Sequence, residues 1–167
     1  PRPVVEAQFA LRDSRFAGQP LAGGGDITID WPRIPRADVQ LTAGPNRLVA
    51  RGAFGRPGDS LRVDIAAPEL GPYGLDGSLA GTLQLAGTPE NLTLAAELAT
   101  PRLGLPSIGR LKEASLTADL GSQPASPLRL DLRVASFDGV DRPGLLKKLN
   151  LQVAGTRRQH SLRAGGE

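Results

Sequence analysis

The chain has 167 residues, 40% hydrophobic and 22% charged, with a net charge of +3. That is long enough for one domain with a sizeable core and close to globular averages. Cysteine and methionine are absent, which excludes a disulfide framework, a thiolate nucleophile and a cysteine-ligated metal. Aromatic residues make up only 4%, while glycine and proline number 21 and 15, so the apolar surface is mostly Leu, Val, Ile and Ala.

Apolar residues alternate with polar ones from end to end, the period of a half-buried strand. "VEAQFAL" places Val5, Ala7, Phe9 and Leu11 on one side, and "DITIDW" does the same with Ile27, Ile29 and Trp31. Val39 and Leu41 follow, then Leu48, Ala50 and Gly52, then Leu61, Val63 and Ile65. Leu79, Gly81, Leu83 and Leu85 precede Leu92, Leu94, Ala96 and Leu98. Ala114, Leu116, Ala118 and Leu120 lead to Leu128, Leu130, Leu132 and Val134 of "LRLDLRVASF", and Leu149, Leu151 and Val153 come last. This reads as on the order of ten strands. The joints "GPN", "GRPGD", "GTPEN" and "GSQPASP" are turn signals, too short for helical crossovers, so an antiparallel meander is expected.

Helical signals are weak. "PGLLKKLN", through Leu145, Leu146 and Leu149, and "SIGRLKEA", through Ile108 and Leu111, would each make one or two turns. Neither is long enough to cover a large sheet. The cover of the apolar face must therefore be the sheet itself, folded over or closed, or another molecule. An all-β fold follows. A closed sandwich or barrel and a half-open groove both satisfy the alternation. Small inward residues such as Ala50, Gly52, Gly81, Ala96 and Ala118 are expected to mark curvature or open space.

No catalytic constellation is present. The single histidine, His160, lies in phase with Leu162 and reads as a partly buried structural residue or a polar spot at a rim. One histidine without cysteine makes no zinc site within the chain. "FDGVDRPG" brings Asp138 and Asp141 together without the ligand spacing of a calcium loop, so it reads as a turn. "LAGGGD" leads into a strand, which gives a phosphate no helix N-terminus. Arg47, Arg51, Arg129 and Arg133 fall at outward positions with Asp64 and Asp131 and are not clustered beside aromatics. A solvated face is therefore expected, not a nucleic-acid surface. No enzyme activity, cofactor or metal is expected.

The ordered series "GPNRLVARGAFGRPGDSLRVDIAAPEL", "GLDGSLAGTLQLAGTPENLTLAAELATPRLGL" and "LNLQVAGTRRQHSLRAGG" resembles the TamB family of AsmA-like bridge proteins. Gly77, Leu79, Gly81, Leu83, Leu85 and Gly87 match its glycine-leucine alternation. Pro101 and Leu103 match a strand start, and Gly155, Thr156, His160 and Leu162 a Gly-Thr, spacer, His-x-Leu segment. The match is stronger over 44–167 than over 1–43, within a single β-rich segment spanning 1–167. With no methionine and Pro1 first, the chain reads as a segment of something longer.

The resemblance implies a long, mostly antiparallel sheet bent into a half-open groove, a β-taco, with an aliphatic interior. It further implies a periplasmic setting, with a parent anchored in the inner membrane and an outer-membrane barrel partner, TamA. It implies phospholipid transport between the two membranes and outer-membrane biogenesis. The alternative role is assembly of outer-membrane β-barrels and autotransporters by β-augmentation, with nascent outer-membrane proteins as further partners. On the transport reading the lipid lining would comprise Ile27, Ile29, Leu41, Leu48, Leu61, Val63, Ile65, Leu79, Leu83, Leu85, Leu92, Leu94 and Leu98 in the first seven expected strands. Leu116, Leu120, Leu128, Leu130, Leu132, Val134, Leu149, Leu151, Val153 and Leu162 would complete it.

Overall fold

The computed structural model describes residues 4–167. Twelve strands follow one another: β1 (Val5–Phe16), β2 (Gln19–Asp30), β3 (Arg33–Ala43), β4 (Asn46–Phe54), β5 (Ser60–Ala67) and β6 (Asp76–Gly77). After these come β7 (Leu79–Gly87), β8 (Leu92–Leu105), β9 (Gly109–Gly121), β10 (Pro127–Gly139), β11 (Arg142–Thr156) and β12 (His160–Gly165). All pairings are antiparallel, and eleven strands lie in sequence order in one sheet, with the short β6 pairing β8 off that path. The meander expected from the short turns is therefore present. β1 and β12 do not pair with each other, so the sheet is an open, bent half-groove and not a closed barrel.

The surface area agrees. A compact 17.5 kDa monomer exposes about 7,900 Å² by the usual size scaling, whereas this chain exposes 10639 Å². Among the described residues no large side chain is fully buried; Val134, at 3%, is the most enclosed apolar residue. A small packed cluster of Ala37, Phe54 and Leu61, extended by Ile34, Leu85 and Leu92, draws residues from β3 to β8 together at one end of the strands. There Gly55 N–H donates to Gly87 O at 3.1 Å and Gly87 N–H to Asp59 O at 3.1 Å.

Both expected helical segments are strand. "SIGRLKEA" opens β9 and "PGLLKKLN" opens β11. The reason is a common break in four neighbouring strands. The pairing ladder skips the row Pro101, Glu113, Ala135 and Lys148, with Glu113 and Lys148 at φ +48° and +52°. Alternation changes phase at that row. Leu103, Leu111, Phe137 and Leu146 then pair in one row, while Arg110 and Lys112 share the other side with Asp138. Three of these strands thus carry apolar residues three apart, at Leu111 and Ala114, Val134 and Phe137, and Leu146 and Leu149, which imitates helical spacing.

Four smaller expectations also change. Pro101 lies inside β8 and starts no strand. "LAGGGD" lies within β2. Trp31 does not continue the apolar face but sits 75% exposed in the β2–β3 turn. His160 is exposed on the edge strand β12, which fits a polar spot at the rim and not a partly buried residue.

Candidate functional site

Directly paired residues on neighbouring strands point to the same side of a sheet. The registers therefore join the alternating residues into rows that run across the strands. One row passes through Phe9, Gly25, Val39, Ala50, Val63, Leu83, Ala96, Ala118, Leu130, Val153 and Leu162. A second passes through Leu11, Gly23, Leu41, Leu48, Ile65, Gly81, Leu98, Leu116, Leu132, Leu151 and Ala164. A third runs from Ala7 through Ile27, Leu61, Leu85, Leu94, Leu120 and Leu128 to Gly155 and His160.

No charged residue interrupts these rows from β1 to β11. Over that span nine spacings of about 4.8 Å give each row a contour of about 43 Å, longer than the roughly 30 Å hydrocarbon core of a bilayer. Ile29, Leu79, Leu92, Val134 and Leu149 extend the same face through their partners Val5, Ala67, Gly87 and Ala114. All the residues expected to line the groove thus share one side. Their cover differs: Val134 is buried, Leu48 is 36% exposed and Leu162, on the edge strand, is 64% exposed.

The opposite face is ionic. Arg36 pairs with Asp26 at 3.7 Å, Arg51 with Asp38 at 3.3 Å, Arg62 with Asp64 at 2.8 Å and Arg133 with Asp131 at 2.9 Å. These pairs are exposed and each adds little to stability; their effect is to keep that face wet. Gln152 and then Arg133 donate to the Asp131 carboxylate and hold its pKa below the ordinary value. At the β10–β11 turn, Gly144 N–H donates to Asp138 at 2.7 Å and Lys112 bridges it at 2.9 Å, which lowers its pKa likewise. Among the described residues no group of three or more acidic, histidine or cysteine side chains is arranged to hold a metal.

One stretch of the apolar face has a roof. The β5–β7 connection, residues 68–78 with β6 inside it, turns back through a 3-10 turn at Gly71–Tyr73. Asn46, at the start of β4, donates to Glu69 O at 2.7 Å and accepts from Glu69 N–H at 3.0 Å. The Tyr73 hydroxyl donates to Ala43 O at 3.1 Å, and its ring stacks on Phe16 of β1 with centroids 5.6 Å apart. Beneath lies a pocket of about 270 Å³ whose open lining is wholly apolar. Sequence reasoning missed Asn46, Phe16 and Tyr73, because no local pattern links residues so far apart. The row of Leu103, Leu111, Phe137 and Leu146 was missed because its spacing looked helical.

A single open antiparallel sheet, aliphatic along one face and ionic on the other, defines the class: a half-open β-groove protein. Residues 15–165 match the family model described as TamB, N-terminal domain. The chain belongs to the TamB family. Comparison with curated proteins and with solved structures gives no significant match. Membership sets the chain in the general context of the translocation and assembly module and outer-membrane biogenesis in the cell envelope. Among the described residues no helix is long and apolar enough to cross a membrane.

Proposed function

We propose that this chain is a segment of a periplasmic bridge whose groove holds phospholipid acyl chains on their way between the inner and outer membranes. The observation that carries this is the set of apolar rows crossing the sheet from β1 to β11 with almost no protein laid over them. Moving an acyl chain from water onto such a face stabilises it by about 0.8 kcal/mol per CH₂. The backbone groups of the lining are already paired along the ladder, so the floor offers no fixed polar anchor. A chain is therefore held by burial alone and can slide. Headgroups would remain at the open mouth, in water.

The role is one of conduction, with no chemical step and no cofactor. An outer-membrane barrel such as TamA is the natural partner of the whole protein, reached by segments beyond the apolar rows described. Mass spectrometry of organic extracts from the purified chain tests the reading. Stoichiometric phospholipid supports it; lipid-free protein that still shows the native far-UV spectrum counts against it.

A second reading rests on β12. All six of its residues are exposed and it pairs only with β11, so it offers an unpaired edge for a nascent barrel strand to join by β-augmentation. Proline at Ala164, whose N–H points away from β11, blocks such an edge and leaves the groove apolar, whereas Leu130→Asp does the reverse. Whichever variant loses function while still folded decides between the two readings.

A further inference from the structure

We propose that residues 68–78 form a strap that roofs a single-chain acyl pocket over β2–β5, closed by the stack of Tyr73 on Phe16. The inference rests on the lipid reading of the groove and adds to it a defined station with its own door.

The strap is built as part of the face it covers and is not a loop resting in solvent. Asn46, only 8% exposed, holds both backbone groups of Glu69, so the root of the strap is fixed. Its far end, β6, is fixed by pairing with β8, but its middle is held differently. There Tyr73 makes one hydrogen bond to Ala43 O of β3 and one ring stack on Phe16 of the edge strand. An aromatic stack at a partly exposed site is a weak and breakable contact. Phe16 is 58% exposed, so little else holds it. Two fixed ends and a loosely closed middle are the parts a gate requires.

The chemistry of the occupant follows from the lining. Leu21, Leu41, Leu48 and Ile65 lie beneath the strap, Leu70 of the strap faces the same pocket, and the lining offers no open polar surface. At about 30 Å³ per water-sized unit, the pocket's 270 Å³ holds one unbranched hydrocarbon end and no headgroup. A polar ligand would leave its polar atoms without partners there.

The test uses a palmitic acid probe carrying a terminal diazirine, with labelled peptides read by mass spectrometry. Phe16→Cys/Tyr73→Cys is joined by a bis-methanethiosulfonate linker before the probe is added; the chain has no native cysteine, so only the pair reacts. In the unbridged protein the probe is expected to label β3–β4 under the strap and β9–β10 in the open stretch. Bridging should cut the β3–β4 label about tenfold, leave the β9–β10 label unchanged, and be reversed by reductant. Tyr73→Ala should raise the β3–β4 label about two- to tenfold, the shift that losing one aromatic stack allows. Equal β3–β4 labelling in bridged and unbridged protein overturns the gate while the groove reading stands. Label on β9–β10 that never appears on β3–β4 overturns the pocket. Label on neither stretch overturns the lipid reading and the pocket with it.

Discussion

Replacing Gly81 by alanine tests whether the small inward residues shape the sheet or merely leave room. Gly81 lies mid-strand in β7 at φ +149°, and a Cβ there would strike the Glu97 carbonyl oxygen and sit 2.8 Å from the Leu98 Cα. Gly25 in β2 is the same case at φ +155°, with the Asp38 carbonyl and the Val39 Cα at 2.7 Å in the way. Holding a non-glycine residue in that backbone region costs about 1–3 kcal/mol. Relieving the overlap with a paired strand costs about 1–3 kcal/mol more. Gly81→Ala and Gly25→Ala should therefore each destabilise by about 3 kcal/mol, a large share of the roughly 5–15 kcal/mol that holds a domain of this kind. Gly18→Ala is the control: it has φ +78° and nothing within 4 Å of the added carbon, so only the left-handed penalty of about 1–2 kcal/mol applies. Urea unfolding followed by far-UV circular dichroism measures all three. Strand variants within about 0.5 kcal/mol of the parent, or no costlier than Gly18→Ala, would refute the claim that these glycines let neighbouring backbones close up.

Asn46→Ala leaves the Glu69 N–H and carbonyl unpaired and should cost about 1–3 kcal/mol, with faster amide exchange confined to residues 68–78. Asp138 is held below its ordinary pKa by Gly144 and Lys112, so its contribution to stability is complete above the unfolded carboxylate value of about 3.9 and is lost as pH falls through the lower folded value. Asp138→Asn should therefore lose stability near neutral pH and show a shallower acid-side decline, which urea midpoints between about pH 6 and pH 3 would reveal. Leu83→Asp and Leu130→Asp place a charge on the central apolar row; lipid recovered by organic extraction should fall several-fold in each, because an unpaired charge beside an acyl chain costs several kcal/mol. Gln84→Asp, on the wet face, should change it little.

Much of the groove was legible because a strand's period is two, so an inward leucine in one strand fixes every second residue beside it. Short turns then carried that phase into the next strand, which is why Leu79 through Leu85 and Leu128 through Val134 fall on one face. Legibility failed where phase was reset. At Glu113 and Lys148 the backbone turns through positive φ, and the apolar residues on either side fall three apart, as in a helix. It failed again where contacts were distant: Phe16 and Tyr73 are separated by four strands, β2 to β5, and neither residue's neighbours announce the stack. Trp31 shows a third limit. Its spacing continued that of Ile27 and Ile29, but the strand ends at Asp30, and the pattern does not outlast the ladder. In β12 the alternation was too sparse to mark a strand, and only its pairing with β11 defines it.

The most direct test of the central claim is site-specific photocrosslinking in cells, with p-benzoylphenylalanine placed at Leu83 or Leu130 on the apolar rows and at Gln84 or Arg129 on the opposite face. Phospholipid captured at Leu83 and Leu130 and absent from Gln84 and Arg129 is the result the groove requires. Equal capture on both faces, or capture on neither in correctly folded protein, would contradict it.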